Sequence, residues 1–242
     1  MLDTIKIYVI INYYGIVCVC FNLHTEGGSM QKKTDWLAGE KYLREHAKEL
    51  VPFMDAYGHC TLEQDSGERY FEVLLTGIAA QQLPPESSKK IMDQLRHLAG
   101  TPVTPEKLLA LTDETVVTCG LTALKVTYMK EFARLVLDHT VDFGSFPEMT
   151  DAQILKLLKT VKGLGQWTVE MFLLLSLCRP DVLPGDDFLL KKEMQLLFNL
   201  QEVPKRGQLN RLMEPWRPWR SLAVWYLWQH SAQGKKYMQG KR

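Results

Sequence analysis

The sequence predicts an all-α protein. From Asp35 onward apolar residues recur at three- and four-residue spacing, no long stretch alternates apolar with polar, and threonine caps and first-turn prolines mark helix starts. Taken in order, WLAGEKYLREHAKELVPFM reads as a first helix ending near the turn YGHC, and the polar loop QDSGER leads into the helix YFEVLLTGIAAQQL. In PVTPEKLL, Thr104 is placed to cap and Pro105 to take the first helical position, where a missing N–H costs nothing. TDETVVTCG repeats the device, with Thr112 as cap and Gly120 as a left-handed stop. TALKVTYMKEFARLVLDH is a long amphipathic helix whose Leu124, Tyr128, Phe132 and Leu135 fall on one face and read as core. MTDAQILKLLKTV opens with a capping box, Thr150 and Gln153, and turns Ile154, Leu157, Leu158 and Val161 inward.

The chain has 242 residues, 46% of them hydrophobic and 24% charged, which gives it a sizeable core and excludes the disordered and fibrous classes. A net charge of +1 decides nothing about nucleic acid as a partner, because a local basic face can sit within a balanced total. The cysteines are five, scattered and without CxxC spacing, which points to a reducing compartment and no structural metal. Cys60, Cys119 and Cys178 read as small buried hydrophobes, and His59, His97 and His139 stand at no metal-ligand spacing. Residues 1–29 differ from the rest, being dense in β-branched and aromatic residues as far as a joint-like GGSM at 27–30. They are expected to be an extension, from upstream translation or a tag, ahead of a natural start at Met30; a packed strand ranks second and a membrane anchor third. No repeat or flexible linker follows Met30, so 30–242 reads most simply as one unit, though its helices also permit two lobes with a cleft between them.

KGLGQWT at 162–168 joins two helical patterns, giving a helix–hairpin–helix candidate over 150–176. Gly163 and Gly165 are expected to supply positive φ and bare backbone, so that N–H groups converge at the positive end of the helix beginning near Trp167. That end attracts a phosphate, with Lys162 adding charge and Thr168 a hydroxyl donor, for a contact that carries no sequence information. A plain interhelical turn meets the same pattern. Twenty residues after Trp167 comes Asp187, in LPGDDFLLKKEMQLLF. Only one of Asp186 and Asp187 is needed to cap the helix after Pro184 and Gly185, which leaves a carboxylate to spare.

VKGLGQWTVEMFLLLSLCRPDVLPGDDF resembles the hairpin and acidic signature of the HhH-GPD superfamily of DNA glycosylases, in its 3-methyladenine DNA glycosylase II (AlkA-like) branch. YFEVLLTGIAAQQLPPESSKKI is similar to that branch's helix, turn and helix with a Gln-Gln pair, and PWRPWRSLAVWYLW to its C-terminal helix. The resemblance implies a helix-hairpin-helix fold of two helical lobes with a cleft, and a catalytic carboxylate at Asp187, directly before Phe188. Asp186 is then a solvated or structural neighbour. The resemblance also implies a base pocket lined by Trp167 and Met171, and a DNA-binding turn of Lys162, Gly163, Gly165 and Thr168. Gln82, or alternatively Leu83, would fill the gap left by the flipped nucleotide. Relatives usually carry a small residue after QQL, so Pro84-Pro85 is a departure. Bifunctional relatives such as endonuclease III place a Schiff-base lysine where this chain has Trp167, and an indole forms no imine. Their four-cysteine cluster is absent as well.

The function implied is therefore a monofunctional base-excision repair glycosylase. It would hydrolyse the N-glycosidic bond of alkylated purines, 3-methyladenine and 7-methylguanine, in duplex DNA and leave an abasic site. Alternatives are a glycosylase for another damaged base and a noncatalytic hairpin module that only binds DNA. No cofactor is required and no iron–sulfur cluster is expected, while a monovalent cation at the hairpin is an optional ligand. The expected partner is double-stranded DNA with a damaged base, met by a monomer without an obligate protein partner. The expected location is the cytoplasmic nucleoid in a bacterium or the nucleus in a eukaryote. Arg217, Arg220 and Ser221 stand open between phosphate contacts and ties that hold helix ends together.

Overall fold

The computed structural model describes residues 33–231, together with two dipeptides, Ile7–Tyr8 and Cys20–Phe21, that pair antiparallel. The expectation for 1–29 otherwise lies outside the described residues. The fold is all-α. In chain order the helices are α1 (Trp36–His46), α2 (Val51–Tyr57), α3 (Tyr70–Ala79), α4 (Pro85–Ala99), α5 (Pro105–Ala110), α6 (Asp113–Val117), α7 (Ala123–Leu137), α8 (Asp151–Leu158), α9 (Gln166–Leu175), α10 (Phe188–Leu197), α11 (Arg206–Leu212) and α12 (Arg220–His230). No helix among the described residues is long and apolar enough to cross a membrane. The chain divides into two compact units, one holding Asp65–Phe172 and the other 33–64 and 173–231.

In the first unit α3 is buried along its whole length, because YFEVLLTGIA is apolar on every side. α4 and α7 pack against it, and α7 also packs against α5 and α6. Phe71 stacks on Phe132 at 5.0 Å between ring centres, while Tyr70 and Phe146 meet Phe172 edge to face. The one acid inside α3, Glu72, accepts from Arg96 Nε and Nη2 and from the Val103 amide, so its charge is paired and hydrogen-bonded. Thr104, Thr112 and Thr150 cap α5, α6 and α8 as the sequence predicts, Gly120 takes φ +92, and the Thr150–Gln153 box is complete.

Two local expectations are corrected. The first predicted helix is two: α1 stops at Ala47, and a short 3-10 turn precedes α2, whose first turn holds Pro52. A proline supplies no N–H to the preceding turn, so a helix restarts at that position and does not run through it. On α7 the inward face is Val126, Met129, Phe132 and Ala133; Leu124 is 59% exposed, and Tyr128 and Leu135 are half-buried. Two apolar stripes overlap on this helix, and packing against α3, α5 and α6 selects the one containing Val126 and Met129.

The second unit is built on α12, whose residues Arg220–Trp228 are all buried, with α1, α2 and α10 around it. Its polar groups serve the interior. Arg220 grips Asp181 through Nε and Nη2, and Arg217 adds a bond to the same carboxylate. Ser221 Oγ donates to Arg179 O and accepts from the Val182 amide. These three residues are therefore ties that hold the segment leading into α10. Cys119 and Cys178 are buried, as expected for small hydrophobes, whereas Cys60 is half-buried, with burial pushing its thiol up to about 12.

The position of α9 on α3 depends on Gly77. A Cβ there would lie 2.4 Å from Thr168 Cγ2, well inside van der Waals contact. Gly77→Ala should lower stability by about 1–3 kcal/mol, and Thr168→Ser, which removes the opposing methyl, should restore part of that loss in the double variant. Denaturant unfolding of the three variants tests the pair; an unchanged midpoint for Gly77→Ala would contradict the close approach.

Candidate active site

The hairpin is the turn between α8 and α9. Val161 N–H donates to Leu158 O and Leu164 N–H to Val161 O, which closes the turn, and Val169 N–H to Gly165 O begins the next helix. The two glycines are not equivalent. Gly163 takes φ +87, and a Cβ on it would meet Ile78 and Tyr128 at 3.1 Å. Gly165 is outside the left-handed region, contrary to expectation, and a Cβ on it would meet nothing within 4 Å. One glycine thus makes the turn possible, and the other leaves its backbone open to a close approach. Lys162 is 64% exposed and paired with Glu131 at 3.2 Å, a surface bond weak enough to be exchanged. Thr168 is half-buried, with its methyl toward Gly77.

Gln81 and Gln82 separate into different roles. Gln81 Nε2 donates to Gly163 O at 2.6 Å, which ties the α3–α4 loop to the hairpin. Gln82 is exposed at φ +58, and Leu83, half-buried, donates its amide to Ala80 O. Lys125 Nζ donates to Ala79 O and Gln81 O, both at 2.7 Å. Sequence reasoning missed Lys125, although a lysine in the first turn of a helix, against the dipole, is a signal of a partner elsewhere. Trp167 is 9% exposed and Met171 is buried, both on the first turns of α9.

Asp187 is fully buried. It is itself the N-cap of α10: Oδ1 accepts from Leu190 N–H at 2.8 Å and from Trp228 Nε1–H at 3.0 Å. The expectation of a capping acid separate from a spare, catalytic one is therefore corrected, because the cap and the candidate catalytic carboxylate are the same group. A chain leaving Pro184 and Gly185 enters the helix at the second acid, so the first is left outside it. Asp186, half-exposed, bonds Arg206 Nη2 at 2.8 Å and faces Lys191 Nζ at 3.5 Å. Partial burial alone would raise its carboxyl, but the Arg206 bond and charge, with Lys191, outweigh this and hold it below the ordinary value. Trp228 was legible only as part of a C-terminal helix, since no local spacing links residues 41 positions apart.

Among the described residues no group of three His, Cys, Asp or Glu is placed to hold a metal ion. Of the hairpin carbonyls, Val161 O accepts from Leu164 N–H, Gly163 O from Gln81 Nε2 and Gly165 O from Val169 N–H.

The family model described as HhH-GPD superfamily base excision DNA repair protein matches residues 75–218. The chain belongs to this superfamily. The HhH-GPD match takes in the α3–α4 loop, the hairpin, Trp167 and both aspartates, and it stops short of Trp228. Two relatives from Schizosaccharomyces pombe resemble the chain along most of their length. The alkylbase DNA glycosidase-like protein mag2 is 28% identical over 83% of this chain and 96% of its own. DNA-3-methyladenine glycosylase 1 is 30% identical over 78% of this chain and 83% of its own. Among solved structures, the S. pombe 3-methyladenine DNA glycosylase Mag1 in complex with abasic DNA shares 28% identity and a TM-score of 0.68, covering 79% of this chain and 95% of that one. A DNA-3-methyladenine glycosidase from Bacillus halodurans shares 26% identity and a TM-score of 0.73, covering 83% and 92%.

Trp228→Phe keeps an aromatic side chain, smaller than the indole, and removes the N–H. Asp187 then loses a donor in a buried setting, and with the volume lost this should cost about 1–3 kcal/mol of stability or more. Thermal unfolding measures the cost, and a variant as stable as the parent would show that the indole bond contributes nothing.

Proposed function

We propose that this chain is a monofunctional DNA glycosylase that removes alkylated purines, 3-methyladenine and 7-methylguanine, from duplex DNA by hydrolysis and leaves an abasic site for base-excision repair. The observation that carries the reading is Asp187, a buried carboxylate aimed by donors that include the Leu190 amide and the Trp228 indole. As the glycosidic bond lengthens, positive charge grows on the deoxyribose. A fixed anion in a water-poor site stabilises that charge without having to reorganise. The same carboxylate can take a proton from the attacking water. An alkylated purine already carries a positive charge and departs as a neutral base, so the reaction demands no second catalytic acid.

The remaining residues receive roles consistent with this chemistry. The base must leave the stack before it can be reached. Trp167 offers an electron-rich face for a cationic base, and Met171 adds an apolar wall. Gln82, exposed at the loop tip, fills the gap in the duplex, with Leu83 beside it. The amides around Gly163 and Gly165, with Lys162 and Thr168, hold a backbone phosphate, and a monovalent cation on the turn's carbonyls would add charge there. Trp167 stands where bifunctional enzymes carry the imine-forming lysine, so strand cleavage does not follow base release. Names given to the relatives, several of them 3-methyladenine glycosylases, support the substrate class.

A panel of duplexes each bearing one lesion tests the substrate class: methylpurine release is expected, and release of uracil or 8-oxoguanine alone would refute it. Asp187→Asn keeps an oxygen for the cap and the indole while removing the charge. Excision should fall by about 100-fold or more with the fold and DNA binding retained, and unchanged excision would remove Asp187 from the mechanism. Trp167→Lys should lose alkylpurine excision and gain weak strand cleavage trappable by borohydride; trapping in the unaltered protein would contradict monofunctional hydrolysis.

A further inference from the structure

The loop joining α3 to α4 is held from two directions. From α7, Lys125 Nζ donates to Ala79 O and Gln81 O, and from the loop itself Gln81 Nε2 donates to Gly163 O in the hairpin. Ala79 ends α3, where the carbonyls and the helix dipole are negative, so an ammonium there serves as donor and as counter-charge. Burial pulls the Lys125 amine below its ordinary pKa, and the two carbonyls are what offset that cost. At the tip Gln82 is exposed in a left-handed conformation uncommon for a residue with a side chain. A backbone of this kind persists where its surroundings over-determine it; the tethers on Ala79 and Gln81 just before Gln82, and the Leu83 amide bonded to Ala80 O just after it, do so.

From this arrangement we infer that Lys125 is a positioning residue for base extrusion, acting through Gln82. It fixes the Gln81 backbone while the Gln81 side chain holds Gly163 O, so that the side chain entering the duplex stands at a set distance from the turn that grips the backbone. The inference rests on the glycosylase reading and adds to it a residue on α7, outside the hairpin and the acidic signature. A loosened loop would make opening of a base pair more costly, and it would leave the chemistry after extrusion as it was.

The test uses two duplexes: one with 7-methylguanine in a normal pair, the other with the same lesion opposite an abasic site, where extrusion costs little. Single-turnover excision is measured for the unaltered protein, Lys125→Met, Lys125→Gln, Gln82→Ala and Lys125→Met with Gln82→Ala. Both lysine variants should slow excision about tenfold or more on the paired lesion and about threefold or less opposite the abasic site. The double variant should be no slower than the worse single one, since residues acting through one another are non-additive. The fluorescence rise of 2-aminopurine placed beside the paired lesion should be lost with the lysine. Lysine variants that excise at the parent rate, or that slow equally on both duplexes, overturn the inference; equal slowing is what general loss of structure would give. If circular dichroism shows the methionine variant unfolded, Lys125→Gln carries the comparison, and if neither folds, Lys125 is a stability residue and the inference is wrong. If the unaltered protein releases no base from either duplex, the glycosylase reading itself fails and takes this inference with it.

Discussion

The second unit depends on what surrounds one oxygen atom. Asp187 Oδ1 is out of solvent, and an ionised carboxylate in that position is costly unless donors surround it. Leu190 N–H and the Trp228 indole are among those donors, and the positive end of α10 adds its field. The segment that delivers the acid is pinned in turn, by Arg220 on Asp181 and by Ser221 on Arg179 and Val182. The polar groups at the start of α12 thereby place a side chain on a neighbouring helix.

The unit holding the hairpin solves a different problem, that of presenting backbone groups. Gly163 admits the left-handed turn under Ile78 and Tyr128, Gly165 leaves the next amide region unobstructed, and Gly77 lets α9 lie close to α3. Side chains then fill in around that geometry: Gln81 ties the neighbouring loop to the turn, and Lys125 ties the end of α3 to α7. Around the turn, Lys162, Gln82 and Gly165 are exposed.

Local devices were legible in the sequence because they are written within four residues of one another. Thr104, Thr112 and the Thr150–Gln153 box cap where expected, and the KGLGQ turn falls between two helices. The glycines needed more than local pattern, since φ at Gly165 depends on how α9 begins and not on residue type. The phase of α7 was misjudged because overlapping apolar stripes are sorted only by what packs against them. The assignment of Asp187 to the acidic position was available by resemblance, yet the local pattern left open which of the two acids caps α10, and the structure gives both duties to Asp187. Lys125 with Ala79 O and Asp187 with Trp228 are long-range pairs, and nothing in a single sequence sets one residue against another forty or more positions away.

The ion pair between Lys162 and Glu131 bears on how the hairpin would respond to salt. A phosphate that takes this lysine frees one counterion from DNA but leaves Glu131 bare, and the carboxylate then recruits a cation of its own. This contact would therefore add well under the ~0.9 that a phosphate contact normally contributes to the slope of log affinity against log salt concentration.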